Sequence, residues 1–254
     1  MQPETYRLMA EVEEVHWWFR ARRDILAATL EKLRLGQDAK ILEAGCGTGG
    51  NLAMLDRFGK LHAFEPDPEA RTVAQSKHVI TIEAGGLPDG VPDHFRDLDL
   101  VCAFDVLEHI DDDHAAAAAL FERLRDGGGL VVTVPAFEWL WSRHDDAVQH
   151  KRRYTRKRLV TVLQDAGFEI ARCSYFNTLL FPLVAVIRLG RRLLRIEGDG
   201  TQEMALPGRL VNRLLYGLFG FERQLLARFD LPVGVSLLAV ARRPHARQNG
   251  HGPD

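Results

Sequence analysis

A cluster of glycines near the start of the chain follows an apolar segment and is bordered by carboxylates. The segment reads ILEAGCGTGGN over residues 41–51. Glycines let a backbone turn sharply and bring a ligand close to a helix start, where free N–H groups and the helix dipole favour an anion. Gly45, Gly47 and Gly50 also satisfy the GxGxxG fingerprint, and Glu65 follows the expected ~20 residues later. The loop predicts a nucleotide-like cofactor but leaves two cofactor classes open.

The charges around the loop favour one of these classes. Glu43 lies just before the first glycine, where a carboxylate can face a cationic ligand but would be unfavourable beside a pyrophosphate. S-adenosylmethionine carries a sulfonium and an ammonium group and has no phosphate. The segment AFDVLEHIDD also places Asp105, Glu108 and His109 where open α/β sheets bind ligands. The pattern favours S-adenosylmethionine over a nicotinamide dinucleotide.

Histidines near these segments are candidates for a catalytic base. Methyl transfer from a sulfonium is an in-line displacement, so a protein supplies alignment, desolvation and sometimes a base. His144 with Asp145 is the first candidate, because an adjacent carboxylate could orient a histidine that titrates near neutrality. His109 and His150 follow. For each, a purely structural histidine is the alternative.

Cations are concentrated in the segment HKRRYTRKR over residues 150–158. Guanidinium groups suit phosphate and carboxylate, so Arg152, Arg153 and Tyr154 are predicted to bind an anionic group of the acceptor. A solvated helix start is the alternative interpretation.

The elements that must position these residues follow a regular order. From residue 39 to residue 135, short apolar strands alternate with helical segments, which predicts an α/β, Rossmann-like, doubly wound sheet. One or two helices precede the first strand. Two amphipathic segments, 179–195 and 207–229, lie before a closing strand, VSLLAVARR.

Four segments together resemble a known family. ILEAGCGTGGN, LHAFEPDPEA, FDVLEHIDDD and LRDGGGLVVTVPA, within residues 39–136, resemble the successive motifs of class I S-adenosylmethionine methyltransferases. The segments EEVHWWFRARR, LWSRHD and HKRRYT resemble a bacterial subgroup of these enzymes. The resemblance implies a seven-stranded, mostly parallel sheet whose last strand is antiparallel and inserted between the fifth and sixth.

The resemblance also implies roles for individual residues. Glu43 would orient the methionine amino group, Glu65 would accept both ribose hydroxyls, and Pro66 with Asp67 would border the adenine. His16 and Trp17 would cover the pocket, with packing of the N-terminal helix as the alternative. Cys46 is expected to fill space rather than act as a nucleophile. The predicted cofactor-binding set is Glu43, Gly45, Cys46, Gly47, Gly49, Asn51, Glu65, Pro66, Gly85, Asp105, Val106 and Leu107.

Composition limits the class of protein. Lysine plus arginine (33) nearly balance aspartate plus glutamate (35), so no nucleic acid partner is expected. The three cysteines show no metal-ligand spacing and suit reduced thiols in a cytosol, so no metal is predicted. No signal peptide is recognised, and the longest nearly apolar stretch, residues 178–187, is about half of the ~20 residues that span a bilayer.

These observations predict one methyltransferase domain over residues 1–243. It comprises an N-terminal helical cap (1–38), a cofactor-binding core (39–136) and a helical insertion (176–230), and a disordered tail follows at 244–254. The predicted function is methyl transfer from S-adenosyl-L-methionine, giving S-adenosyl-L-homocysteine, to a small-molecule or lipid-linked acceptor. An NAD-dependent oxidoreductase and a non-catalytic S-adenosylmethionine-binding module are the alternatives.

The amphipathic segments suggest a further contact. Residues 175–229 hold eight arginines against four acidic residues, the pattern of a basic amphipathic surface. We expect a cytoplasmic protein with peripheral membrane contact, or a lipid-linked acceptor, through 179–229. Packing of the two helices on each other or across a homodimer is the alternative.

Overall fold

The computed structural model describes residues 3–194 and 205–246, and a seven-stranded sheet lies at its centre. The strand order is β3-β2-β1-β4-β5-β7-β6. β7 runs antiparallel to β5 and β6, whereas the other pairs are parallel. The strands are β1 (Lys40–Ala44), β2 (Lys60–Glu65), β3 (Ile82–Ala84), β4 (Leu98–Phe104), β5 (Leu124–Pro135), β6 (Glu169–Phe176) and β7 (Ser236–Arg242). The predicted fold class is confirmed, including the inserted antiparallel strand.

The sheet is apolar on both faces because successive side chains of a strand point to opposite sides. Leu42 and Ala44 of β1 join one buried cluster, while Ile41 between them joins the other. Strands that are buried on both faces read as continuous apolar runs, and this is the pattern by which the sequence predicts them.

Helices cover the two faces of the sheet. The described residues form α1 (Pro3–Val12), α2 (Trp17–Glu31), α3 (Leu52–Leu55), α4 (Pro68–Lys77), α5 (Asp113–Arg123), α6 (Arg143–Ala147), α7 (Arg156–Asp165), α8 (Phe181–Leu193) and α9 (Arg209–Leu226). Side-chain caps fix several helix starts: Asp67 accepts hydrogen bonds from the Glu69 and Ala70 amides at α4, and Thr155 accepts one from the Arg158 amide at α7. The helix predicted after Asn51 is only one α-helical turn followed by a 3₁₀ turn.

The N-terminal helix α2 packs against α9, which follows it by almost 180 residues. Asn212 of α9 accepts a hydrogen bond from the Trp17 amide (2.8 Å), and the Tyr216 hydroxyl donates to Asp24 (2.7 Å). The predicted N-terminal cap and the predicted helical insertion therefore contact each other along one face of the sheet.

Some sequence predictions fall on residues that the structure does not describe. They are Arg195 of the first amphipathic segment and residues 247–254 of the predicted tail, and the residues 197–202 between the two amphipathic segments are likewise not described. Within residues 3–194 and 205–246, no helix combines the length and the apolarity that crossing a bilayer requires.

Candidate functional site

The loop between β1 and α3 adopts a conformation that requires glycine. Gly45, Gly47 and Gly49 have φ angles of +70°, +55° and +84°, which side chains rarely adopt. The Gly45 and Cys46 amides donate to the Phe64 carbonyl, which ties the loop to the end of β2. A Cβ atom at Gly45 would lie 3.1 Å from Cγ2 of Val106, so the loop also meets the turn after β4. Two segments predicted to border the cofactor thus lie side by side.

Glu43 presents a buried carboxylate to this loop. Its side chain is 1% exposed, and Oε1 accepts a hydrogen bond from Nδ2 of Asn51 at 2.9 Å. Among the described residues, Oε2 has no hydrogen-bond partner. Burial raises the pKa of Glu43 to about 8, although Asn51 and Arg22 oppose the shift. A buried carboxylate with an unpaired oxygen fits a cationic ligand group, as an ammonium of S-adenosylmethionine would provide.

Glu65 occupies the end of the neighbouring strand, β2. One oxygen accepts the Gly47 amide (2.8 Å) and the other accepts the Asp67 amide (3.0 Å). Burial raises its pKa, and the two backbone hydrogen bonds oppose the rise. Because each carboxylate oxygen has two lone pairs, both can still accept a hydroxyl. At Gly85, after β3, a Cβ atom would lie 2.9 Å from the Gly90 carbonyl oxygen, so the backbone itself borders this part of the edge.

Residues before α2 cover the glycine loop. Glu13 is 2% exposed and accepts hydrogen bonds from Thr48 (2.7 Å) and from Lys77. A Cβ atom at Gly50 would lie 2.5 Å from Oε2 of Glu13. Burial and the charges of Glu65 and Asp67 raise the pKa of Tyr6 in α1, which places this phenol near the predicted ribose site. The sequence prediction missed both Tyr6 and Glu13.

His16 and Trp17 make the packing contacts that were the alternative to a covering position. His16 is 3% exposed and caps α2, with Nδ1 accepting the Trp18 amide at 3.2 Å. The Trp17 ring packs edge-on against Phe219 of α9, with a centroid separation of 5.9 Å. Both residues thus fasten the start of α2, and Glu13 contacts the glycine loop.

A buried arginine joins the N-terminal helix to the ends of β4 and β5. Arg22 is 4% exposed and donates through Nη2 to Asp105 (2.6 Å) and to the Thr133 hydroxyl (2.7 Å). Asp105 itself has a φ of +56°, an uncommon conformation for a non-glycine residue. The prediction missed Arg22, but a signal exists: it lies among the apolar residues Ile25 and Leu26 on the buried face of α2.

A second polar group lies beyond β4, around the buried carboxylate of Asp145. Arg153 binds both of its oxygens (2.8 and 2.9 Å), and Nδ1 of His150 lies 2.8 Å from Oδ1. Burial alone would raise the pKa of Asp145, but the hydrogen bond from His150 and the charge of Arg153 hold it well below its usual value. Glu108 and His109, in the turn after β4, adjoin His150. Burial and then the neighbouring His150 lower the pKa of His109 to about 4, so its ring is neutral at pH 7.

This arrangement adds a third residue to the predicted catalytic pair. Asp145 contacts His150 through Oδ1. The ring centroids of His144 and His150 are 6.4 Å apart. His150, only a secondary candidate in the sequence, has the carboxylate contact that was expected of His144.

The predicted acceptor clamp also has other partners. Arg153 is 4% exposed and neutralises Asp145. Arg152 donates to the carbonyls of Ile110 (2.7 Å) and Asp111 (2.8 Å), and the fully buried Tyr154 donates to Asp113 (2.7 Å). Because their donors serve internal acceptors, these three residues fasten the segment after α6 to the turn after β4. From the sequence, these donors were expected to bind an anionic group of the acceptor.

The chain matches a family model and resembles a named relative. A family model described as a methyltransferase domain matches residues 16–172. A Mycolicibacterium smegmatis protein named a probable S-adenosylmethionine-dependent methyltransferase is 28% identical over 169 residues, covering 65% of this chain and 64% of that protein. The match thus spans less than two thirds of the relative's own length.

Two solved structures share the fold. A chain from the complex of the Haloferax volcanii Trm112 methyltransferase activator superposes with a TM-score of 0.61 at 17% identity, covering 96% of this chain and all of that one. Haemonchus contortus phosphoethanolamine N-methyltransferase 2 with S-adenosyl-L-methionine gives a TM-score of 0.55 at 18% identity, over 87% of this chain and 52% of that one. At these identities the likeness concerns the fold alone. Since the family model covers more than half of its residues, the chain belongs to the class I S-adenosylmethionine-dependent methyltransferases.

Proposed function

We propose that this protein transfers the methyl group of S-adenosyl-L-methionine to a small-molecule or lipid-linked acceptor and releases S-adenosyl-L-homocysteine. The observation that carries the proposal is the buried Oε2 of Glu43, which has no hydrogen-bond partner among the described residues and lies beside a glycine loop that also binds Glu65. A nicotinamide dinucleotide would bring a pyrophosphate to this carboxylate, which is unfavourable. The motifs around Trp17 and Arg153 support assignment to the bacterial subgroup that the sequence resembles.

The residues of the chain have separable tasks in this reaction. The cofactor supplies an electrophilic methyl group on a sulfonium. Glu43 binds the cationic amino group, and Glu65 accepts the ribose hydroxyls through the lone pairs left free by Gly47 and Asp67. Glu13 and Tyr6 exclude water from the loop. What remains for catalysis is alignment of the acceptor with the methyl group.

The amphipathic helices favour either an apolar acceptor or contact with an apolar surface. α8 and α9 expose large side chains, including Leu193 at 83% and Leu214 at 63%. Arginines share these helices, and amphipathic helices that expose large apolar and basic side chains are typical of interaction sites. We infer that this cover, within the predicted insertion 176–230 of a single domain, contacts lipid at the cytoplasmic face of a membrane. A second copy of the chain is the other candidate occupant.

Isothermal titration with S-adenosylmethionine, S-adenosylhomocysteine and NAD tests the cofactor. We expect heat of binding for the first two and none for NAD. Glu65→Ala removes hydrogen bonds to a charged acceptor, worth about 1.5–3 kcal/mol, and should weaken binding roughly tenfold or more. Glu122→Ala, on the exposed surface of α5, is the control. Binding of NAD alone, or an unchanged affinity for Glu65→Ala, contradicts the assignment.

Flotation with vesicles of anionic phospholipid tests the acceptor surface. The full chain should float at low salt, and a double variant with Leu193→Ser and Leu214→Ser should float less. Val79→Ser is the matched control, because Val79 is fully exposed but lies outside these helices. Wild-type protein that remains in the soluble fraction rejects membrane contact. A sedimentation change caused by the same double variant would instead assign the surface to a homodimer.

A further inference from the structure

Three potential metal ligands converge beyond the carboxyl end of β4. Glu108, His109 and His150 each bring one ligand atom within 4.8 Å of the others. The first two lie in the 3₁₀ turn after β4, and the third follows α6, 41 residues later. A hydrogen bond from the Lys151 amide to the Glu108 carbonyl (2.8 Å) fixes the two segments together. The convergence is thus built into the backbone and does not depend on flexible surface side chains.

Glu108 is the residue that most needs a partner. It is fully buried, and within the described residues neither of its carboxylate oxygens has a hydrogen-bond partner. Burying such a group costs several kcal/mol unless it is neutralised or coordinated. Nε2 of His150 lies 3.8 Å from Oε1. This distance is too long for a hydrogen bond, and a cation between the two atoms would serve both.

Both histidines are held by their other contacts. Nδ1 of His150 is engaged by Asp145, which leaves Nε2 directed towards Glu108. Asp145 is in turn fixed by two bonds from Arg153. His109 hydrogen-bonds to the backbone of Gln149, a residue with a φ of +61°. Carboxylates and carbonyls that orient the ring of a ligating histidine are the usual second sphere of a protein metal site.

We propose that Glu108, His109 and His150 bind one divalent transition-metal cation. Two imidazoles and one carboxylate suit zinc, cobalt, manganese or iron, whereas magnesium and calcium prefer a set of oxygens. Three protein ligands leave at least one coordination position open, as in catalytic rather than structural sites. The cysteine spacing predicted no metal, because no thiolate takes part in this site and one ligand is remote in the chain.

The role of the cation rests on the proposed methyl transfer. Two of the ligands, Glu108 and His109, directly follow Leu107, which is predicted to border the methionine side of the cofactor site. An acceptor hydroxyl bound at the open position would lose its proton to solvent more readily, because the cation lowers its pKa. Its oxygen lone pair then forms the O–CH₃ bond while the S–CH₃ bond breaks and its electron pair stays on sulfur. A cation at this site therefore implies that the acceptor carries a hydroxyl group and that the product is a methyl ether.

Cobalt titration of the full chain after chelator dialysis tests the site. We expect a saturable visible absorption from a single Co²⁺ per chain, competed by Zn²⁺. Glu108→Gln and His150→Gln should each weaken binding by about tenfold or more. His114→Gln, an exposed histidine beside Asp165 on a different surface, should leave the affinity unchanged. Equal affinities in all four proteins, or no saturable binding, would overturn the proposal and leave Glu108 as a buried neutral acid.

Two further measurements keep the result unambiguous. If Glu108→Gln does not fold, His109→Gln replaces it, and a rise in the thermal midpoint of the wild type with Zn²⁺ gives a readout that needs no variant. Calorimetry with S-adenosylmethionine on the chelator-treated protein examines the cofactor separately. Cofactor binding without metal binding overturns only the metal site, and metal binding without cofactor binding overturns only the proposed function.

Discussion

The two halves of the carboxyl edge of the sheet bury carboxylates in opposite ways. Beside the glycine loop, Glu43 accepts a hydrogen bond from the neutral Asn51 amide, and burial raises its pKa to about 8. Beyond β4, the buried Asp145 is bound by Arg153 and His150, and its pKa falls. Equal burial therefore gives opposite shifts because the partners differ in charge. The first half is suited to receive a cationic ligand, and the second is neutralised internally except at Glu108.

The largest effect is expected for the ion pair between Asp145 and Arg153, which neutralises the buried charges of the second half. Asp145→Ala removes the buried carboxylate that binds the Arg153 guanidinium through both oxygens, so the free energy of unfolding should fall by about 3–5 kcal/mol. Urea denaturation measures the change. Asp146→Ala, the exposed neighbour on the same helix, is the control and should change stability by about 1 kcal/mol or less. A similar loss in both variants would mean that the ion pair does not stabilise this half.

The glycine loop should show a smaller but localised loss. Gly45→Ala forces a Cβ atom into the left-handed region, at about 1–2 kcal/mol, and pushes it against Val106. We expect reduced stability together with weaker S-adenosylmethionine binding, measured by urea denaturation and calorimetry. Gly36→Ala, where a Cβ atom would meet nothing within 4 Å, is the matched control. Unaltered cofactor affinity in Gly45→Ala would separate this turn from the binding site.

The raised pKa of Glu43 predicts a pH dependence with a definite sign. The folded protein keeps a proton up to about pH 8 that the unfolded chain releases near its ordinary value of 4.5. This contribution to stability is complete below pH 4.5 and is lost as the pH rises through 8. Affinity for S-adenosylmethionine should rise over the same window, because the ammonium prefers the ionised carboxylate.

Glu43→Gln is the variant for this test. Thermal midpoints and calorimetric affinities measured from pH 5 to pH 9, roughly the window that the linkage predicts, should become flatter than in the wild type. Glu122→Gln on the surface of α5 should retain the wild-type profiles. A wild-type profile in Glu43→Gln would assign the titration to another group.

The smallest effect is expected at Cys46, which lies within the loop but has no chemical task. Burial, then the charges of Glu43 and Glu65, raise the pKa of its thiol, so no thiolate is present at neutral pH. Cys46→Ala should keep its cofactor affinity within about twofold, well below 1 kcal/mol. Slow alkylation of the native protein checks the same point. If alkylation at pH 7 rapidly abolished cofactor binding, Cys46 would be assigned a chemical role in the loop.

Structural features that depend on residues close together in the chain could be predicted from the sequence. Apolar runs fixed the strands, and the glycine loop with Glu43 and Glu65 forms from two adjacent strand ends. Pairings between distant segments left no local signal. Glu13 lies 35 residues from its partner Thr48, and Glu108 is more remote still from His150.

The surroundings of Asp145 show why a partner that is remote in the chain is hard to predict. His144 and Asp145 are consecutive on α6, and consecutive side chains of a helix do not face each other. Adjacency in sequence therefore gave no indication of the contact between Asp145 and His150. Arg22 could have been predicted from the sequence, because a charge on the buried face of α2 indicates an internal partner. Asp105 is that partner.

The packing of α2 on α9 has a consequence for synthesis of the chain. A ribosome makes Trp17 long before Phe219, and β7 fills the gap between β5 and β6 only when residues 236–242 have emerged. Contacts this remote slow folding, because a long loop must close first. An expression clone that stops at residue 172, the end of the family match, would lack both elements. Its product should aggregate, with the apolar side of α2 left without its cover.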